Sequence, residues 1–439
     1  MAAELMVWMN GEQVGRWTQS RQSVDIFEYA PSWLLSAHAR PLSISLPIPA
    51  GGGEIRGALV QNYFDNLLPD VPAIRERLQR KFRTPSTHTF DLLQAIGRDC
   101  VGAVQLLPPG EKPEGFDRLQ SVPLSKAAVA QILAASTVSA LPGQSQADEG
   151  LRISIAGAQE KTALLRIKRQ WHLPKGATPT SHILKLPMGL VGGHKGMDMR
   201  SSVENEWLCA QLLRLMGFNT AHTEIGVFKD QKVLVVERFD RQWMDGGTWL
   251  ARLPQEDFCQ VFGLPSHRKY ESDAGPGISQ ILQILDGSEQ RVADRQHFLC
   301  SQFIFWLLGA LDGHAKNFSL ALLPGGRYRL TPLYDVLSFW PLIGEGPNQL
   351  SLHKARMAMA VRGKNAHYKV TEIQARHWKE LVNKAGEPEA FDHMVALSRS
   401  MEACFESVRE QLPENVPKHL YDAIYKGTRE QIGRFNAGI

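Results

Sequence analysis

FIFWLLGALDGHAKNFSLALLPGGRYRLTPLYDVLSFW, residues 303–340, sets three polar groups that can bind metal or move protons between apolar runs. Residues 303–311 are almost continuously apolar and carry a lone Gly309, the pattern of a buried helix that delivers Asp312 to its end. Asn317 follows five residues after Asp312. Two strand-like runs, 318–323 and 328–330, are then joined by Pro324-Gly325-Gly326 as a turn and lead to Tyr334-Asp335. The order is Asp, Asn, a hairpin, then a second Asp.

Phosphoryl transfer from a nucleotide needs these groups. One carboxylate accepts the proton of the attacking hydroxyl, while an amide oxygen and a second carboxylate hold magnesium against the phosphates. The Asp312-to-Asn317 spacing equals that of the protein-kinase catalytic loop. Two features depart from that pattern: no His-Arg precedes Asp312, and Val336-Leu337 rather than Phe-Gly follows Asp335. An isolated D-x-x-x-x-N is more often a turn and a cap, so the upstream residues decide.

Upstream, residues 152–167 predict a strand, a small-residue loop and a second strand, a hairpin whose loop N–H groups could close over phosphates. No G-K-[ST] follows, so it is not a Walker loop, and on its own such a stretch is most often a plain turn. Residues 181–187 predict a strand carrying Lys185 among apolar neighbours. A lone strand lysine is normally a solvated side chain, but its place after the loop matches the kinase lysine that contacts phosphates. Residues 201–216 form an amphipathic helix, and Glu206 lies 21 residues after Lys185, a distance compatible with the kinase lysine–glutamate pair; Glu204 competes for that role. Residues 223–228 and 232–240 predict strands, the second leading into a hinge whose backbone can read an adenine edge. A buried strand without ligand is the plainer alternative. From Pro254 the chain reads as largely helical, and the polar stretch containing Glu256, Asp257 and Glu271 is a candidate for binding substrate peptide. The basic residues scattered over the helical regions 371–412 and 414–436 fit solvated helix faces.

The first 145 residues predict a small α+β domain. Asn10-Gly11 between two alternating runs is a strong hairpin signal, residues 24–29 and 42–46 alternate as further strands, and helical periods take over from about Leu59. Residues 108–123 predict a surface loop, 125–134 a helix, and 136–150 a connection, with a boundary near 145. At 439 residues two or three domains are expected, and 43% hydrophobic with 21% charged residues is globular composition. A net charge of +4 argues against a dedicated nucleic-acid binder. Five scattered cysteines without a C-x-x-C pair argue against a disulfide framework and a zinc site. With no apolar run long enough to cross a bilayer, a reduced, cytoplasmic protein without membrane contact is expected.

The segments RISIAGAQEKTALL, HILKLP, VERFDR, RLPQEDFCQ, KYESDAGPGI, LDGHAKNFS and TPLYDVLS, in this order, resemble the HipA family of bacterial toxin kinases. WMNGEQVG and RPLSISLP resemble its N-terminal domain, so the likeness covers nearly the whole chain. It implies an α+β chain: an N-terminal subdomain (1–145), then a two-lobed kinase-like domain (146–439) with an N-lobe to about 245 and a helical C-lobe beyond. By position, Asp312 matches the catalytic base, Asn317 and Asp335 the Mg2+ ligands, and Lys185 the phosphate-binding lysine. Ala156, Gly157, Ala158, Gln159, Glu160 and Lys161 match the ATP loop, His314 and Lys316 line the triphosphate, and Glu237, Arg238 and Phe239 match the adenine hinge. Ser154 matches a serine autophosphorylated in the family to switch the enzyme off; a phosphate there adds about two negative charges beside the loop. The resemblance further implies a HipB-like helix-turn-helix antitoxin, operator DNA bound through that complex, and an aminoacyl-tRNA synthetase of glutamyl type as protein substrate, with growth arrest and persistence as the outcome.

Two other readings use the same residues. Small-molecule kinases of aminoglycoside or lipid type also carry D-x-x-x-x-N followed by a metal-binding Asp. A non-catalytic corepressor that tightens an antitoxin on DNA would tolerate loss of Lys185, Asp312, Asn317 or Asp335, and all four are present.

Overall fold

The computed structural model describes residues 3–20, 22–137, 154–157, 159–191 and 196–439. The chain forms two compact units. The first spans Met1–Leu186, Gly226–Arg268 and Ser319–Tyr328, and the second Pro187–Ile225, Lys269–Phe318 and Arg329–Ile439.

The first unit holds two sheets. The N-terminal one is antiparallel, in the order Glu54–Arg56, Asp25–Tyr29, Glu12–Gln19, Ala3–Met9, Gln105–Leu107. Its first hairpin turns at Asn10-Gly11, both at positive φ, the conformation that suits the right-handed twist of the strands. The helices Ala58–Asp65 and Thr89–Ile96 cover one face, and Trp17 stacks on Phe64 with ring centroids 4.0 Å apart. This aromatic contact closes a core that includes Phe27, Trp33 and Phe90.

The second sheet has six strands, in the order Thr223–Phe228, Gln231–Glu237, His182–Lys185, Lys161–Ile167, Gln170–Pro174, Ser121–Pro123. The helix Lys126–Thr137 lays Val129, Ala130 and Leu133 on Leu164, Leu184, Val233 and Val235. Both it and Ser121–Pro123 precede the boundary expected near 145, a position outside the described residues. The sheet therefore draws its edge strand and covering helix from upstream of that point.

Between the sheets lies a buried ion network. Asp99 accepts from Arg241 at 2.9 Å and Arg252 at 3.0 Å, and Asp240 binds Arg238 at 2.7 Å and Arg241 at 3.0 Å. Backbone carbonyls of Cys100, Gly102 and Ala177 take further guanidinium N–H groups, so the charges are hydrogen-bonded as burial requires.

Three sequence expectations change here. Residues 42–46 form a turn rather than a strand, because Ser43 and Ile44 bind the Glu256 carboxylate and Ser45 donates to Gln260 C=O. Residues 154–156 are not a strand, because Ser154 N–H bonds Asp99 C=O instead of a sheet neighbour. The region after Pro254 contains strands beyond those read at 318–323 and 328–330: Gln255–Asp257, which pairs with Ser319–Leu322, and Arg356–Arg362, which pairs with Ala366–Lys369. A hairpin of Arg241–Met244 with Trp249–Arg252 comes just before it.

The second unit is built on the helix Arg291–Leu308, buried along most of its length. Ile278–Leu285, Glu389–Glu410 and Lys418–Asn436 pack around it, and Phe303, Trp306, Trp378 and Phe435 meet as an aromatic cluster. The helix ends where Gly309 adopts φ 60, a left-handed turn natural to glycine; a Cβ there would lie 2.7 Å from the Trp340 ring. All five cysteines are free and buried, and no helix among the described residues is long and apolar enough to cross a membrane.

Candidate active site

Past Gly309 the chain turns at Asp312 and locks onto itself. His314 N–H donates to Asp312 C=O at 2.8 Å, Asn317 N–H to His314 C=O at 2.9 Å, and the Asn317 Nδ2 to Asp312 C=O at 2.7 Å. With the amide nitrogen so committed, the Asn317 oxygen is the end that can face a cation. Ala315 N–H reaches Lys269 C=O at 3.1 Å, and the Tyr334 hydroxyl donates to Lys316 C=O at 2.9 Å. His314, Lys316 and Asn317 are buried, whereas the Asp312 side chain remains 48% exposed. A half-exposed carboxylate on a rigid loop is what a general base for an incoming hydroxyl requires.

Tyr270 is a member of this site that sequence reading did not assign. Its hydroxyl donates to Asp312 Oδ1, and its ring meets His314 edge-on at 5.0 Å. Asp335 follows Tyr334 in the left-handed region at φ 61, and such a non-glycine residue costs about 1 kcal/mol or more and is concentrated at functional sites. Pairing of Leu333 with Asn219 and Ala221 fixes the approach to it.

In the first unit, Lys185 is buried at the end of its strand and sits directly opposite Lys161 on the neighbouring strand. Like charges facing each other across a sheet repel, so this pairing favours an anion beside it. Gly157 has φ 110, and a Cβ there would lie 2.6 Å from Lys161 Nζ, so the glycine lets the loop backbone and that ammonium approach closely. The Gln159 side chain donates to Leu186 C=O at 2.5 Å, and Leu186 N–H donates to Glu160 C=O at 3.0 Å. The Glu160 carboxylate pairs with Arg77. Ser154 is fully buried, its Oγ donating to Leu67 C=O at 2.7 Å. Ala156 is half-buried, and Ala158 lies outside the described residues.

At the expected hinge, Glu237 is exposed and Phe239 half-buried, but Arg238 is occupied twice. Its N–H donates to Ser181 C=O at 3.0 Å and its guanidinium enters the buried network, so it holds the hinge from behind. Glu204 and Glu206 are both buried on the helix Ser202–Leu215 of the second unit. The acidic residues considered as a substrate lining are committed elsewhere. Glu256 is buried against Ser43 and Ile44, Asp257 caps the helix Phe258–Val261, and Glu271 binds Arg362 and, at 2.6 Å, Ala360 N–H.

Among the described residues no group of three or more His, Cys, Asp or Glu side chains forms a metal cage. A nucleotide-bound magnesium ion does not need one, since phosphates and water supply most of its ligands and one or two protein oxygens suffice. Asn317 and Asp335, both in the second unit, carry oxygen atoms of that kind.

A sheet-based unit with a glycine loop and paired lysines, followed by a helical unit with an Asp–Asn loop, defines the kinase-like class. Residues 153–416 match the HipA-like C-terminal domain and residues 5–107 the HipA N-terminal domain. The Sinorhizobium fredii protein Y4mE, named as a kinase, is 34% identical over 387 residues, covering 87% of this chain and 86% of that one. The serine/threonine-protein kinase toxin HipA of Shewanella oneidensis is 28% identical over 321 residues, 71% of this chain and 69% of its own. In fold, the chain superposes on a chain of the solved S. oneidensis complex of HipA, HipB and operator DNA with TM-score 0.79, at 23% identity, covering 99% and 97% of the two chains. The chain belongs to the HipA family and is a HipA-type serine/threonine kinase.

Proposed function

We propose that this chain uses ATP and magnesium to phosphorylate a protein hydroxyl, as the toxin of a toxin–antitoxin pair. The observation that carries the reading is the loop at Asp312: a half-exposed carboxylate that accepts from the Tyr270 hydroxyl, with the Asn317 amide nitrogen committed to Asp312 C=O. Bound ATP with magnesium supplies the transferable phosphoryl group and neutralises charge building on it. Asp312 takes the proton of the attacking serine or threonine hydroxyl. In the second unit Asn317 and Asp335 would hold the metal, and in the first unit Lys161, Lys185 and the loop at Gly157 would take phosphate oxygens. His314 and Lys316 lie beside Asp312 on the same loop, where their donors can meet phosphate oxygens.

The relatives support the partners: the S. oneidensis assembly contains HipA, HipB and operator DNA, and by that likeness this chain acts as corepressor together with a helix-turn-helix antitoxin. Family resemblance supports an aminoacyl-tRNA synthetase as substrate and self-inactivation at Ser154. Ser154 has no exposed surface, so its modification requires the loop to leave its seat, and the added phosphate then prevents its return.

The test is intact-mass measurement after incubation with magnesium and ATP, with peptide mapping across residues 152–161. The expected result is a phosphate on Ser154 that is absent in Asp312→Gln, which should still bind nucleotide. Turnover retained in Asp312→Gln removes it from the role of base. ATP binding without any protein phosphorylation moves the assignment to a small-molecule kinase or a corepressor.

A further inference from the structure

We propose that the N-terminal domain is a positioning element for catalysis: it braces the phosphate loop in its nucleotide-ready form, with Arg77 as the adjustable contact. The inference rests on the ATP reading of that loop. Four contacts reach the loop from N-terminal residues of the same unit. Ser154 N–H bonds Asp99 C=O at 3.1 Å, Ser154 Oγ bonds Leu67 C=O at 2.7 Å, Asp70 N–H bonds Gly157 C=O at 3.3 Å, and Arg77 pairs with Glu160. Pro69 and Gly157 also form an isolated parallel bridge.

The surface that makes these contacts is itself rigid. Asp65 binds Arg75 at 2.7 Å and Thr89 at 2.7 Å, and Arg75 in turn donates to Pro69 C=O at 2.7 Å. Asn66 is buried and donates to Leu264 C=O at 2.8 Å. Residues 65–70 are thereby fixed from three directions before the loop touches them. The far end of the loop is tied to its own sheet through Leu186, next to Lys185. Loop N–H groups can bind phosphates only if the loop is held with little freedom, since ordering it at the moment of binding subtracts from affinity. The brace performs that ordering in advance. Among the described residues, three of these contacts use backbone groups, and that of Arg77 with Glu160 joins two side chains. The Arg77 side chain is 20% exposed and sits on the helix Pro72–Phe82, which contributes no fully buried residue, so it can be changed without opening the core.

The experiment uses the full chain as wild type, Arg77→Ala, Arg77→Lys, Glu160→Gln and the Arg77→Ala/Glu160→Gln double variant. Each is compared by ATP KM and kcat, by the rate of Ser154 phosphorylation, and by hydrogen exchange of peptides covering 154–160. For Arg77→Ala the expected result is an ATP KM raised about 3- to 10-fold with kcat within about 2-fold, and faster exchange in the loop. Ser154 phosphorylation accelerates, because the loop leaves its seat more often. Arg77→Lys recovers part of each change, and the double variant is no worse than the worse single one. A folded Arg77→Ala protein with wild-type KM and wild-type loop exchange overturns the brace. If wild type neither binds ATP nor transfers phosphate, the ATP reading fails instead, and unchanged exchange in Arg77→Ala would sink the brace separately.

Discussion

The Asp312 carboxylate has one feature that spacing does not reveal: the hydroxyl of Tyr270 donates to it from 42 residues upstream. Asp312, Asn317 and Asp335 lie in one stretch of chain, so the chemistry they suggest is readable from their order. Tyr270 is not: it lies in the family segment KYESDAGPGI, but neither periodicity nor spacing ties it to Asp312, and only the fold sets it beside the carboxylate. Charge-assisted hydrogen bonds of this kind contribute about 1.5–3 kcal/mol and fix direction as well. If Asp312 is the base proposed above, Tyr270→Phe should lower kcat by about 10-fold while leaving ATP KM within about 2-fold, since the phenol touches Asp312. Steady-state kinetics at saturating ATP decide it. An unaltered kcat would mean that Asn317 and the backbone turn alone orient Asp312. Arg238 shows the reverse case: its place in a hinge motif is legible, yet its side chain serves a buried network assembled from residues far away in sequence.

Elements with strong local signals form as their patterns dictate. The Asn10-Gly11 hairpin and the helical C-terminal region do, whereas the helix read to residue 311 stops at Leu308 because Gly309 takes the left-handed conformation. Elements defined by a distant partner do not. Leu42-Ser43-Ile44-Ser45-Leu46 has the alternation of a strand, but its polar positions are aimed at Glu256 and Gln260, more than 200 residues on, and this makes it a turn. Burial pushes the Glu256 carboxyl up to about 8, with Asp257 adding to the rise. In the unfolded chain a glutamate titrates near about 4.3. The fold thus favours the protonated form, and the stabilisation from this group is complete below about pH 4.3, declines as pH rises, and is lost above pH 8. Glu256→Gln keeps a carbonyl acceptor for Ile44 N–H, places an amide nitrogen beside Ser43 Oγ and cannot ionise. Urea unfolding should show the wild-type midpoint falling between pH 5 and 8.5 more steeply than that of Glu256→Gln, with the variant the more stable at the upper end. Parallel pH profiles would place the titration elsewhere.

At the scale of the whole molecule, the chain enters each unit three times, and no composition shift marks those crossings. The two family matches, 5–107 and 153–416, leave between them the strand Ser121–Pro123 and the helix Lys126–Thr137, which belong to the six-stranded sheet. A boundary near 145 follows from small and polar residues; the sheet follows from pairing, which sequence composition does not encode. What unites the first unit is the network of Asp99 and Asp240 with Arg238, Arg241 and Arg252, drawn from the N-terminal residues and from residues 238–252. Desolvation alone would raise the Asp99 carboxyl, but Arg241, Arg252 and Arg238 outweigh it and hold it well below the usual carboxylate range; Asp240 is lowered in the same way. Burial, with repulsion from Arg238, brings Arg241 down to about 10. A depressed carboxylate contributes stability that is fully present above its unfolded value, near about pH 3.9, and is lost as pH falls below that. Removing one partner is worse than removing the set, because it strands buried cations. Asp99→Ala should therefore destabilise the protein by about 3–5 kcal/mol at pH 7, read as an early transition in urea. Asp99 also carries the C=O that receives Ser154 N–H, so the same variant should speed exchange at residues 154–157 at urea concentrations below that transition. Loss of stability without faster exchange there would show that the network holds the two sheets together but leaves the phosphate loop to the contacts of Leu67, Asp70 and Arg77.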